Sequence, residues 1–105
     1  MDDDFECDPA KSRSNLAKHG MPLELAVLVF DGRLRAERLS AKSGLDEARF
    51  ESLAEIDERV LFCVHTWNGN RRRAISLRPA HRSERRAYSQ AIDGRAEAAR
   101  GFRLV

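Results

Sequence analysis

Arg71-Arg72-Arg73-Ala74-Ile75-Ser76-Leu77-Arg78-Pro79-Ala80-His81-Arg82-Ser83-Glu84-Arg85-Arg86-Ala87-Tyr88 is the stretch from which the fold is read. It holds seven arginines and one acid. Arg72 to Arg78 reads as a strand, and Pro79, which has no N–H to give, closes it. From Arg82 the pattern changes period. Glu84, Ala87, Tyr88, Ala91 and Ile92 fall on one face of a helix that reaches about Ile92, with Arg82 and Arg86 pointing away. A strand, a proline turn and a helix start carrying this much positive charge form a surface suited to a polyanion.

Upstream, Asn68-Gly69 is the strongest hairpin signal in the chain. It joins the third strand to a second, Val60 to Thr66, rich in β-branched and aromatic residues. Asp57-Glu58 turns that strand onto another, roughly Arg49 to Ile56. Leu34 to Leu39 suits an edge strand, and Ser40 to Asp46 a loop. Leu23 to Phe30 is almost continuously apolar; Pro22 before it and Asp31-Gly32 after it favour helix over buried strand. Asp8-Pro9 opens a further helix, with Asp as N-cap and Pro in the first turn. That helix runs to His19 and stops at Gly20. Ala10, Leu16 and Ala17 are its expected inner face; Lys11, Asn15 and Lys18 are expected to stay wet. Phe5–Cys7 has room for a short strand. The expected architecture is α+β: two N-terminal helices on a small antiparallel sheet of three to four main strands, then a C-terminal helix. Residues 1–92 form one domain, and 93–105 a tail from which Phe102, Leu104 and Val105 have the means to dock.

Composition bounds the function. The chain has 105 residues, 42% hydrophobic and 34% charged, which suits one folded domain with one core rather than a disordered chain. No run is apolar enough to span a bilayer and no signal-peptide pattern opens the chain, so a cytoplasmic protein without a membrane partner is expected. The formal charge of +2 hides an asymmetry: residues 67–90 carry a balance of +6, so the remainder sums to −4. Cys7 and Cys63 have neither zinc spacing nor a disulfide framework and read as reduced thiols. His19, His65 and His81 are too scattered for a metal site. No cofactor is expected.

Several local strings, in order, resemble one family of bacterial toxins, the BrnT family. Phe5-Glu6-Cys7-Asp8-Pro9-Ala10-Lys11 is similar to that family's opening FEWDxxK. Asn15 with Lys18-His19-Gly20 is similar to its N..KHG. Ala26 with Val29-Phe30-Asp31 matches its second helix and that helix's end. Glu47, Arg49 and Phe50 fit its E.RF string, and Val64-His65-Thr66 its strand ending in HT. Arg73 to Arg78 resembles RIISAR, and Glu84 to Tyr88 resembles ERRxY. The resemblance covers roughly Phe5 to Ser89. It implies a RelE-like fold, a ribonuclease that blocks translation, and a BrnA-like ribbon-helix-helix antitoxin that brings operator DNA to the complex only indirectly. A dimer or hetero-oligomer with that antitoxin is implied too. Three positions depart from the pattern: Cys7 for a Trp, Ala74 for an Ile, and His81 for a Thr that would complete a capping box with Glu84. They leave open a degenerate homologue that acts only as an antitoxin partner or a non-catalytic nucleic-acid-binding module.

Metal-free RNA cleavage needs a group to take the 2′-hydroxyl proton, cations for the phosphorane oxygens, and a proton for the leaving oxygen. The expected catalytic residues are His65, Arg78, Glu47 and Arg49. His65 titrates near neutral pH, although a partly buried histidine bonded to backbone is an equal reading. Arg78 has the planar fork for a phosphate. Glu47 is either a base or an ion-pair partner of Arg49. Arg73, Arg82, Arg85, Arg86, Tyr88 and Trp67 are expected to bind RNA, with core packing the competing role for Tyr88 and Trp67. Arg73 faces away from Arg78 if the strand is regular. Arg71 and Arg72 read as solvated surface charges.

Overall fold

The computed structural model describes residues 4–44, 46–94 and 99–105. The fold is α+β. Six strands form one mixed sheet in the order β1-β5-β4-β3-β2-β6: β1 Phe5–Cys7, β2 Arg35–Leu39, β3 Phe50–Ile56, β4 Arg59–Asn68, β5 Arg71–Pro79 and β6 Arg103–Leu104. Strands β2 to β5 form the expected antiparallel meander. Each edge carries one short further strand, the one at Phe5–Cys7 expected and the one at Arg103–Leu104 not. β1 adds to β5 in parallel, and β6 adds to β2 antiparallel.

Helix α1, Pro9–His19, lies on one face of the sheet and helix α2, Arg82–Ile92, on the other. Asp8 caps α1 by accepting from Lys11 N–H at 3.0 Å, and Gly20 ends it at φ 75°. Its inner face is not the expected one. Leu16 is half exposed, and Ala10 and Ala17 are exposed. Ser12 and Asn15 are the buried residues. Asn15 Nδ2 donates to Met21 O at 2.7 Å and Leu77 O at 2.8 Å, while its Oδ1 accepts from Leu77 N–H at 3.1 Å. Ser12 accepts from Leu23 N–H at 3.0 Å and donates to Glu24. Hydrogen bonds of this kind satisfy backbone that α1 would otherwise leave orphaned over the sheet.

Leu23–Phe30 is helical, but as a 3-10 helix. Leu23, Ala26 and Val29 are its buried residues, a spacing of three that matches three residues per turn. They join Ala54, Leu61, Cys63, Ala74 and Leu77 in the core on the α1 face. A second core lies under α2, built by Ala36, Leu53, Phe62, Ala87, Tyr88, Ala91 and Phe102. Phe102 is fully buried, so the segment after residue 98 docks onto the sheet through β6. The expected tail also spans residues 95–98, which lie outside the described residues, as does Leu45 of the expected loop.

The two hairpin turns are tight. Asp57 and Glu58 both take positive φ, 51° and 66°. The β4–β5 turn is Gly69–Asn70, closed by the Asn68–Arg71 pair, with Gly69 at φ 63°; that suits a turn with glycine first. Between Val64–Ser76 and His65–Ala74 the register shifts, leaving Ile75 as an extra residue. This bulge corrects one expectation. Arg73 and Arg78 lie on the same face, because the inserted residue restores their parity.

Candidate functional site: a cationic cleft beside helix α2

Ten-residue β4 spans roughly 33 Å at strand rise. Eleven-residue α2 covers only about 16 Å. A strip of sheet beyond the first turn of α2 is therefore left open. It forms a cleft floored by Phe62, Val64, Ile75 and Ser76 and walled by Arg38, Ser40, Lys42, Arg49, Glu51, Arg78 and Glu84. Four cations face two carboxylates there.

The cations are held to different degrees. Arg78 donates to both Glu84 oxygens, at 2.8 and 2.9 Å, with its guanidinium carbon 4.0 Å over the Phe62 ring. Glu84 also accepts from His81 N–H at 2.7 Å. Glu84 thus reaches back to the N-cap position although His81 offers no hydroxyl there. Burial works to raise the Glu84 pKa, but Arg78 and the His81 N–H bring it below the ordinary value. Arg38 donates from Nε to Glu51 at 2.7 Å and lies 4.2 Å over the Phe102 ring. Arg49 pairs with Glu47 at 3.1 Å. Lys42 makes no ion pair among the described residues, so its ammonium is the uncommitted charge at the mouth.

Of the residues expected from sequence, this cleft gathers Arg49 and Arg78. Glu47 touches it only through Arg49 and is exposed. Arg38, Lys42 and Glu51 were missed, because their convergence depends on how β2, β3 and the intervening loop fold back. Arg82, Arg85 and Arg86 are exposed on α2, and Arg85 donates to Ala80 O at 2.9 Å. Tyr88 packs into the core under α2 and is 9% exposed. Arg73 donates to Glu6 at 2.6 Å, and Arg71 lies 3.5 Å from the same carboxylate. The bonds from Asn68 and Arg73 hold Glu6 below the ordinary carboxylate pKa.

His65 does not share this cleft with Arg78, which corrects the expectation that one phosphodiester lies between them. His65 is on the α1 face with Cys63, and Arg78 is on the α2 face with Phe62. The imidazole is fully buried. Phe30 meets it edge-on at 4.7 Å and Phe50 stacks at 5.8 Å. Its Nε2 lies 2.8 Å from Ser52 Oγ and 3.4 Å from Glu37 Oε1, and Ser52 donates to Glu37 at 2.9 Å. With the serine hydroxyl donating to Glu37, the imidazole Nε2–H is left to donate to Ser52 Oγ. Burial lowers the His65 pKa against the pull of Glu37. Burial opposes ionisation of Glu37 as well, yet bonds from His65 and Ser52 hold it at about 2.

Nearby, Arg72 is not a solvated charge. Its guanidinium carbon lies 4.1 Å over Phe30 and 4.3 Å over Trp67. Neither cysteine is bonded to another, and burial pushes the Cys63 thiol up to about 12. Among the described residues, no group of three or more His, Cys, Asp or Glu side chains is placed to hold a metal ion, and no helix is long and apolar enough to cross a membrane.

A family model described as the ribonuclease toxin, BrnT, of a type II toxin–antitoxin system matches residues 7–84. That span holds every residue lining the cleft as well as His65. No curated protein matches the chain.

Proposed function

Because the chain belongs to the BrnT family of ribonuclease toxins of type II toxin–antitoxin systems, whose members have a protein antitoxin, we propose that it cuts single-stranded RNA in the cleft beside α2 without a metal ion. The observation that carries this is the convergence of Arg38, Lys42, Arg49 and Arg78 beside Glu51 on one open strip of sheet. In the reaction the ribose 2′-oxygen attacks the adjacent phosphorus and its proton passes to Glu51. Arg49 and Lys42 face the charge that grows on the phosphorane oxygens. The P–O5′ bond breaks, and the 5′-oxygen takes a proton from the Lys42 ammonium. The products are a 2′,3′-cyclic phosphate and a 5′-hydroxyl. Arg78 acts as a positioning residue, since Glu84 and Phe62 already hold its guanidinium.

The same reading makes the protein a RelE-like variant that arrests translation and growth in the bacterial cytoplasm. Its antitoxin is a BrnA-like ribbon-helix-helix protein that lays acidic groups over the cleft and forms a hetero-oligomer with it. Operator DNA is contacted through that partner. One observation favours the degenerate reading: three of the four cleft cations already have carboxylate partners. Growth arrest on expression, relieved by the antitoxin, separates the two.

The experiment incubates antitoxin-free protein with a single-stranded RNA in EDTA. Cyclic-phosphate ends should appear, and a 2′-deoxy sugar at the cut position should abolish them. Glu51→Gln should slow cleavage about 10²–10³-fold while the chain stays folded. Cleavage of the 2′-deoxy substrate, or full activity in Glu51→Gln, contradicts the mechanism.

A further inference from the structure

The α1 face carries a feature that the cleft does not use. The 3-10 helix ends at Phe30, and past it the sheet is open again. Phe30, Arg35, Trp67, Asn70 and Arg72 line a second depression there, with Asp4 and Phe5 at its rim. Arg72 lies between two aromatic rings, Phe30 and Trp67. Arg35 lies 5.2 Å from the same Phe30 ring. Arg35 shares Glu37 at 3.4 Å, whereas Arg72 makes no ion pair among the described residues. Its Nε is buried without a hydrogen bond, as is His65 Nδ1. Two aromatic rings therefore hold the Arg72 plane. Burial and the nearby Arg35 charge press its pKa down, while the Glu37 carboxylate draws it up.

Trp67 is 48% exposed. Large aromatic rings are seldom left so open. One face of its ring rests on a guanidinium, and the rest meets solvent. An aromatic plane beside two arginines fits an unpaired base with its phosphate, whereas a duplex keeps its bases stacked inside.

We propose that Trp67, Arg72, Phe30 and Arg35 form a second, non-catalytic shelf that binds one unpaired nucleotide of single-stranded RNA on the sheet face opposite the cleft. The base stacks on Trp67 and the phosphate meets Arg35 and Arg72. The shelf takes its substrate class from the RNA-cleaving reading, and it holds the strand without cutting it.

Trp67 is the single tryptophan of the chain, so its fluorescence reports on the shelf directly. The full-length protein is titrated with a 2′-O-methyl hexanucleotide, which has no free 2′-hydroxyl to attack. Saturable quenching is expected, about tenfold weaker in Arg35→Ala and retained in the Lys42→Ala/Arg49→Ala cleft variant. A Trp67→Ala protein, followed by anisotropy of the labelled oligonucleotide, should lose affinity by a similar factor. A wild-type protein whose fluorescence is quenched but which cuts no RNA counts against the cleft alone and leaves the shelf standing. Quenching that disappears in the cleft variant but survives Arg35→Ala overturns the shelf. Equal response to a duplex of the same length or to inorganic phosphate also overturns it, as does a response only to a protein partner. Absence of quenching where anisotropy shows the oligonucleotide bound overturns it as well.

Discussion

Asn15 and His65 show how single polar side chains hold this fold. Asn15 fills both backbone groups of Leu77 and the carbonyl of Met21. Asn15→Ala leaves those groups buried and unpaired, and should cost about 2–4 kcal/mol. A lower urea midpoint with an unchanged slope is the expected readout; an unchanged midpoint contradicts it. The residue was misread from sequence for a physical reason. Apolar residues mark a buried face only where the neighbouring backbone is already satisfied, and at Leu77, past the end of the β1–β5 pairing at Ala74, Asn15 has to satisfy it. His65 was legible as a special residue and partial burial was one of its two readings, but its full burial against the Ser52 and Glu37 side chains was not. Unfolding returns its lowered pKa to 6.5, so the unfolded chain binds the extra proton between the folded value and 6.5. Stability should therefore fall as pH drops below 6.5. A second loss should follow between 4.5 and about 2, as Glu37 takes a proton. His65→Gln should remove the first loss and keep the second in pH-dependent urea titrations. The same slope between pH 7 and 5 in both proteins would refute the assignment.

Among the elements, the strands of the meander, α2 and the N-cap of α1 were readable because each rests on local chemistry: alternation, Asn-Gly, Asp-Pro and the 3.6 period. What escaped depends on partners distant in sequence. The 3-10 geometry of Leu23–Phe30 appears only when Leu23, Ala26 and Val29 meet the sheet. The bulge at Ile75 is set by pairing with β4, not by any residue at the bulge itself. β6 has two residues and no strand signature; Phe102 is what fixes it. Phe102→Ala should destabilise by about 3–5 kcal/mol. It should also loosen Arg38, which lies over that ring, and so weaken RNA cleavage in the variant at temperatures where it remains folded. A loss of stability below about 1 kcal/mol contradicts the docking of the C-terminal segment.

At the scale of the whole molecule, the sheet is a wall with a different chemistry on each side. Positive charge was visible in the sequence as one block, Arg71 to Arg86. The fold divides it: Arg71 and Arg73 go to Glu6, Arg72 to the aromatic shelf, and Arg78 to the cleft. The cleft is completed by Arg38, Lys42, Arg49 and Glu51, from a region whose sequence pattern is weak. Cleavage should weaken with salt, since the cations at the mouth displace counterions from the phosphates. The most direct measurement is single-turnover cleavage of one RNA in EDTA by the wild type and by Lys42→Ala/Arg49→Ala. Circular dichroism must confirm that both are folded. The double variant should be slower by about 10³-fold or more, because both groups facing the phosphorane charge are gone. A folded double variant that cuts at the wild-type rate would place the chemistry elsewhere and contradict the cleft.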